Sequence, residues 1–219
     1  MRVLITGTSN GIGKAIALKF LAEGHEVIGF DIQAATIFDK NYIHQVCDVR
    51  KPKTFKRIDN IDILINNAGV QNQDDIDVNL KGAINVTERY GIDNDNIKSI
   101  LFIGSASAHT GAEFPEYCAS KGGLLAYSKN VALRIAKYGA TCNSLDPGGV
   151  LTDLNKCVIE DQNLWNQIME LTPLKKWADA AEIAEWAYFL TVVNTFCTAQ
   201  NILVDGGESA NNKFIWKSE

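Results

Sequence analysis

Apolar and polar positions along this chain follow two periods, and the switches between them mark its elements. Short strand-like runs at 2–6, 26–31, 43–46, 61–66, 99–104, 141–145 and 201–204 predict strands, the run at 61–66 being nearly continuous in apolar residues. Between them, residues 11–23, 75–90, 116–137, 159–171 and 180–192 repeat apolar positions every three to four residues and predict helices. Strands this apolar on both faces belong to a parallel sheet buried between helices. Their alternation with helices predicts an α/β fold, a doubly wound parallel sheet with helices on both faces. With no repeat, low-complexity linker or break in composition, residues 1–219 read as one domain.

Two stretches on this frame carry chemistry. The first strand runs into Thr6-Gly7-Thr8-Ser9-Asn10-Gly11-Ile12-Gly13 and then a helix. Gly7 permits a tight turn, Gly11 lets backbone approach a phosphate, and Gly13 lets helix and strand pack closely. N–H groups at the helix start would hold a pyrophosphate. Asp31 closes the second strand, where a carboxylate accepts from the adenosine ribose hydroxyls and repels a 2′-phosphate. Neither Asn10 nor Ile32-Gln33 adds a positive charge, so the pattern predicts NAD rather than NADP.

The second stretch is Tyr117-Cys-Ala-Ser-Lys121. On a helix the phenol and the ammonium lie one turn apart on one face. Tyrosine titrates near 10 and is a poor acid or base at neutral pH, but a neighbouring cation favours its phenolate. The pair suggests a general acid/base working beside a cofactor.

Composition removes other classes. Of 219 residues, 46% are apolar and 21% charged, with net charge -5, which is globular and argues against nucleic acid as a partner. No apolar run approaches a membrane span; the best, 183–193, is broken by Glu185. The start of the chain has no signal-peptide pattern, and five scattered cysteines without Cys-x-x-Cys fit a reducing compartment, so the expected location is the cytoplasm. His25, His44 and His109 have no ligand spacing, and no metal site is predicted.

Taken together, the motifs resemble those of the short-chain dehydrogenase/reductase family, in the family's order and over almost the whole chain. Residues 6–13 match its glycine-rich turn in a Rossmann-type sheet. Asp48-Val49 matches the pair whose aspartate contacts adenine, and Asn66-Asn67-Ala68-Gly69 the motif bracing sheet and cofactor. Asn79, Ser105, Tyr117 and Lys121 match the catalytic tetrad. Asp146-Pro147-Gly148-Gly149-Val150-Leu151-Thr152 resembles the segment where Val150 and Thr152 meet the nicotinamide carboxamide, and residues 200–207 the final strand.

The resemblance implies an NAD-dependent oxidoreductase interconverting a secondary alcohol and a ketone or aldehyde by hydride transfer. Tyr117 would pass the proton, and Lys121 would bind the nicotinamide ribose and favour the phenolate. Ser105 would hydrogen-bond the substrate oxygen, and Asn79 would position a water relaying protons from Lys121. Ser107 rivals Ser105, which directly follows the apolar run and stands 12 residues before Tyr117, one fewer than the family usually shows. Two alternatives stand beside this reading: an NADPH-linked 3-oxoacyl carrier-protein reductase, and a non-catalytic dinucleotide-binding sensor or scaffold.

The chain is shorter than most relatives. Only 16 residues separate Asp31 from Asp48, 17 separate Asp48 from Asn66 and 9 separate Gly69 from Asn79, so the crossover helices are shortened and the second is a stub. Residues 152–177 read as a substrate lid or, equally, an ordinary packed helix, with Leu154, Val158, Ile159, Leu164, Trp165, Ile168 and Met169 on one apolar face. The long helix after Tyr117 carries Leu124, Leu125, Val131, Leu133 and Ile135, which predicts burial against a second subunit in a homodimer or homotetramer. The polar tail offers Phe214 and Trp216 as docking residues.

Overall fold

Along β1 (Arg2–Thr6) successive side chains go to opposite faces: Leu4 enters one core, Val3 and Ile5 another. The same division runs through β2 (Glu26–Asp31), where Ile28 and Phe30 face one way and Val27 the other. It continues in β4 (Ile63–Asn66) and β5 (Ser99–Ile103), with Leu64, Ile100 and Phe102 opposite Ile63, Ile65, Leu101 and Ile103. These residues come from a computed structural model describing residues 1–112 and 114–211. With β3 (Tyr42–Val46), β6 (Thr141–Pro147) and β9 (Asn201–Val204) they form a seven-stranded sheet in the order β3-β2-β1-β4-β5-β6-β9, every pair parallel.

Each face is covered by helices. α1 (Gly11–Ala22) and α7 (Ala180–Tyr188) pack Ile16, Phe20, Ile183 and Ala187 on one side. α2 (Ala83–Tyr90) and α4 (Pro115–Ile135) pack Val86, Tyr90, Leu124, Val131 and Ile135 on the other. A large apolar side chain buried this way contributes about 1.5–3 kcal/mol. Strand order reverses at β1/β4, so both halves open their carboxyl ends onto one crevice, the usual ligand position in such sheets.

Several predicted elements change in detail. The β2–β3 connection has no helix, and a single 3-10 turn (Pro52–Thr54) precedes β4, so the shortening lies where the spacing placed it. The helix expected over 75–90 opens as a π-helix (Ile76–Gly82) before tightening into α2, and that expected over 180–192 ends as one (Phe189–Val193). The single lid helix over 159–171 is corrected. A 3-10 turn (Asp153–Asn155) and α5 (Lys156–Ile159) stop before Asp161, whose carboxylate accepts the Asn163 and Leu164 N–H groups and caps α6 (Gln162–Leu171). Leu154, Val158 and Ile159 therefore share no helix face with Leu164, Trp165, Ile168 and Met169. The predicted elements also missed α3 (Ser107–Thr110) and a two-stranded ladder of β7 (Val150–Leu151) with β8 (Ala178–Asp179).

The reading of the α4 leucines is corrected too. Leu124, Val131 and Ile135 are spent on the chain's own sheet, whereas Leu133 is 78% exposed. Phe214 and Trp216 lie outside the described residues.

Candidate active site

At the crevice the glycine turn is a close fit of backbone on backbone. Gly7 sits at φ +75°, and a Cβ there would stand 2.7 Å from Asn67 Nδ2. Asn67 Nδ2 donates to the carbonyls of Thr6 (2.9 Å) and Gly7 (3.1 Å), and the Asn67 and Ala68 N–H groups donate to Thr6 Oγ1. A Cβ on Gly13 would fall 2.0 Å from Gly7 O. The asparagine after β4 thus locks the turn, and only glycine fits at its centre.

Asn10 precedes α1 without a side-chain cap; its amide goes to Gln33 Oε1 (2.9 Å). The first N–H groups of α1 thus face the crevice, as a pyrophosphate requires. Asp31 accepts from the Ser9 and Gln33 N–H groups, both at 2.9 Å, which fixes its carboxylate at the end of β2. Ser9 Oγ donates to Ala34 O, and Ile12 packs beside the α1 core. Thr152 lies against the turn: a Cβ on Gly11 would be 3.5 Å from its Cγ2. Val150 is buried, and Gly148 N–H donates to Val204 O beside Pro147, bringing that segment to the same edge. A dinucleotide fits this set, with glycines where backbone must approach it and an acid where a ribose would lie.

Asp48 has a protein partner already. Arg50 forks onto it (Nε to Oδ1 3.0 Å, Nη2 to Oδ2 2.9 Å), reaches Asp74 through Nη1 (2.9 Å), and holds the Asp48 carboxyl below its usual range. Val49 turns its side chain into the core against Gly82, and its carbonyl accepts from Asn85.

The four tetrad candidates sit farther along the same edge, in the turn after β5, on α4 and on the π-helix. Pro115 opens α4, which places half-buried Tyr117 in its first turn and Lys121 one turn on. Lys121 Nζ stands 5.7 Å from the Tyr117 ring centroid and donates to Ile103 O (2.9 Å). Lys121 is only 5% exposed, and burial lowers its pKa to about 8 against the pull of Asp146 and Asp75. A Cβ on Gly69 would stand 3.1 Å from Asn79 Oδ1 and 3.6 Å from Lys121 Nζ, so both groups meet over bare backbone.

Asn79 is buried in the π-helix. Its Oδ1 accepts Val70 N–H (2.8 Å), and its Nδ2 donates to Val70 O (2.9 Å) and Ser120 Oγ (3.1 Å). The amide pins the short 70–78 connection to α4; the wide turn sets it at that depth. Ser105 Oγ accepts from Ser107 Oγ (2.8 Å) and Ser107 N–H (3.2 Å). Ser107, the rival serine, is buried and turned back onto Ser105. Two residues at this edge had no sequence-assigned role, His109 and Asp146. An acid at the end of a predicted sheet strand was the available signal for Asp146.

Lys121 also enters the pH dependence of stability. Burial raises Cys47 to about 11 and Tyr90 to about 12, and pushes Tyr127 and Cys142 up as well. Each keeps its proton in the fold after the unfolded chain has released it, so its contribution is lost as pH rises. Burial raises Tyr42 as well, and Lys121, lowered to about 8, acts in the opposite sense, one group against these five. The unfolding midpoint, followed by circular dichroism, is expected to fall between about pH 8.5 and pH 10.5. A flat or rising midpoint would contradict this balance.

The crevice, glycine turn and tyrosine–lysine pair define a nucleotide-binding oxidoreductase of Rossmann-like fold. A family model described as enoyl-(acyl carrier protein) reductase matches residues 7–209. The chain belongs to the short-chain dehydrogenase/reductase family, whose members bind NAD(P) and act on CH–OH or carbonyl groups. It is 30% identical to an L-rhamnose 1-dehydrogenase (NADP+) of Thermoplasma acidophilum, covering 95% of this chain and 96% of that one. It is 29% identical to a 3-oxoacyl-(acyl-carrier-protein) reductase of Buchnera aphidicola, covering 93% and 95%. The solved aldohexose dehydrogenase of Thermoplasma acidophilum superposes with TM-score 0.86 at 25% identity, over 99% of this chain and 97% of that one. Among the described residues no helix is long and apolar enough to cross a membrane.

Proposed function

We propose that this protein is an NAD-dependent oxidoreductase interconverting a secondary alcohol and a ketone or aldehyde. The observation that carries the reading is the Lys121 ammonium 5.7 Å from the Tyr117 ring, on the crevice edge that also holds the glycine turn. When bound, the nicotinamide supplies or accepts the hydride. In reduction Tyr117 O–H donates its proton to the carbonyl oxygen while the Ser105 hydroxyl donates a hydrogen bond to the same atom. The Lys121 charge lowers the cost of the phenolate left behind. Asn79 holds the 70–78 connection beside Lys121, where a water can return a proton to the phenolate.

The preference for NAD rests on Asp31, whose carboxylate is fixed by two backbone N–H groups with no lysine or arginine from residue 32 to 38. Residues 152–177 are the lid in this reading, with Leu154 and Leu164 exposed on its separate short elements. Leu133 on α4 supports association into a homodimer or homotetramer. Five free thiols suit the cytoplasm. An NADPH-linked 3-oxoacyl carrier-protein reductase is the second reading, favoured by the relative of that name.

The deciding test is titration of wild type and Asp31→Ala with NADH and NADPH, followed by nicotinamide fluorescence. Wild type is expected to bind NADH at least about tenfold more tightly, and the variant to lose that preference, because the 2′-phosphate no longer meets an anion. Tighter NADPH binding by wild type would overturn the NAD reading and bring the second one forward.

A further inference from the structure

Asp146, near the end of β6, is fully buried, and its carboxylate occupies the space that a side chain on Gly104 would take: a Cβ there would stand 2.0 Å from Asp146 Oδ1. Oδ1 accepts the Ser144 hydroxyl. Oδ2 accepts His109 Nε2–H at 2.7 Å, in the tautomer that carries the proton there. A buried carboxylate costs several kcal/mol unless it is paired. An apolar residue at this position of the strand would avoid that cost, so the pair calls for a use.

Both partners reach the tetrad candidates. His109 lies on α3, whose first residue, Ser107, gives its hydroxyl and its N–H to Ser105 Oγ. With two donors on that oxygen, the hydrogen of Ser105 is left to point at a substrate oxygen. Ala106 N–H donates to Pro147 O, a second tie between this turn and the end of β6. On the other side, Lys121 Nζ is held at Ile103 O, next to Gly104, so ammonium and carboxylate flank one end of β5. The charged and titratable groups facing this centre are His109 from α3, Lys121 and Tyr117 from α4, and Asp75 ahead of the π-helix.

We propose that the Asp146–His109 pair is a positioning unit of the active site, tying α3 and Ser105 to β6 and supplying the buried counter-charge to Lys121. The proposal rests on the oxidoreductase reading. Asp146→Asn removes an anion beside the Tyr117–Lys121 pair, which then gives up its proton more easily. Cofactor binding that uses the Lys121 charge fails at lower pH. His109→Leu leaves the carboxylate without its α3 donor and loosens the serine turn. His109→Gln keeps an N–H donor.

The test measures the Kd of NADH and NADPH against pH by nicotinamide fluorescence. It also measures kcat for reduction of ethyl acetoacetate and 2,3-butanedione, for wild type and the three variants. In Asp146→Asn the alkaline loss of binding is expected to move down by about one pH unit. His109→Leu is expected to lose about ten- to a hundredfold in kcat, with Kd at neutral pH within about twofold of wild type, and His109→Gln to recover most of that loss. Superimposed Kd–pH curves for wild type and Asp146→Asn would overturn the proposal, as would a His109→Leu variant with wild-type kcat. Wild type binding neither dinucleotide would sink the cofactor reading and this proposal with it. Binding without reduction of either carbonyl would count against the catalytic reading, and the Asp146→Asn binding curve would then decide the proposal alone.

Discussion

Tyr117→Phe is expected to lower kcat for carbonyl reduction by about a thousandfold, an increase of about 4 kcal/mol in the barrier. The substitution removes one oxygen from a half-buried ring and leaves its packing beside Lys121 in place. Cofactor Kd should therefore stay close to wild type. Steady-state rates with NADH, set beside fluorescence titration, separate the two effects. A Tyr117→Phe variant within about tenfold of wild type in kcat would mean that another group delivers the proton. Lys121→Met should act through both: it removes the cation that favours the phenolate and leaves Ile103 O without its donor. Its kcat should fall and its Kd rise together.

Gly13→Ala is expected to abolish cofactor binding and to destabilise the fold by about 3 kcal/mol. The added methyl would fall 2.0 Å from Gly7 O and 2.3 Å from Asn67 Nδ2. Neither neighbour can retreat: Gly7 is held by its N–H on Phe30 O, and Asn67 by its bonds to Thr6 and Gly7. To admit the methyl, α1 must lift from β1, which moves the helix start away from the place of the phosphates. Chemical denaturation and NADH titration of the variant test the two halves. Wild-type affinity would show that the turn tolerates a wider spacing than its geometry implies. Gly24→Ala is a useful contrast, because nothing lies within 4 Å of that Cβ and only the φ of +79° opposes it.

Much of this was legible in the sequence, for identifiable reasons. Parallel strands buried on both faces leave long apolar runs, and β1, β2 and β5 fell within a residue of their expected bounds. Gly7 and Gly13 stood out because contact between backbones forbids any other residue there. Tyr117 and Lys121 stood out through helical spacing. What stayed hidden depends on contacts between distant segments. The place of Asn79 on a π-helix was not read from the sequence, and its partners Val70 and Ser120 lie 9 and 41 positions away. The break at Asp161 was readable as a cap, but the apolar residues on either side of it concealed the joint. The leucines of α4 looked spare because period alone cannot tell a chain's own sheet from a neighbour's surface. His109 could not be paired with Asp146 from sequence, as 37 positions separate them.

The way Trp177 meets Gly149 bears on how such a protein could be altered. A Cβ on Gly149 would fall 2.0 Å from the indole, so the ring takes the place of the side chain that residue lacks. The β7–β8 ladder lies beside it, and Leu174 N–H bonds Gly206 O. The segment from Asp153 to Leu171 therefore leaves the body at one firm root and returns at another, with its helices largely outside both cores. It is a segment that neither core depends on, so under the oxidoreductase reading exchanges within it are expected to change which substrates are accepted more than they change the sheet, while the indole plug and its glycine must travel as a pair.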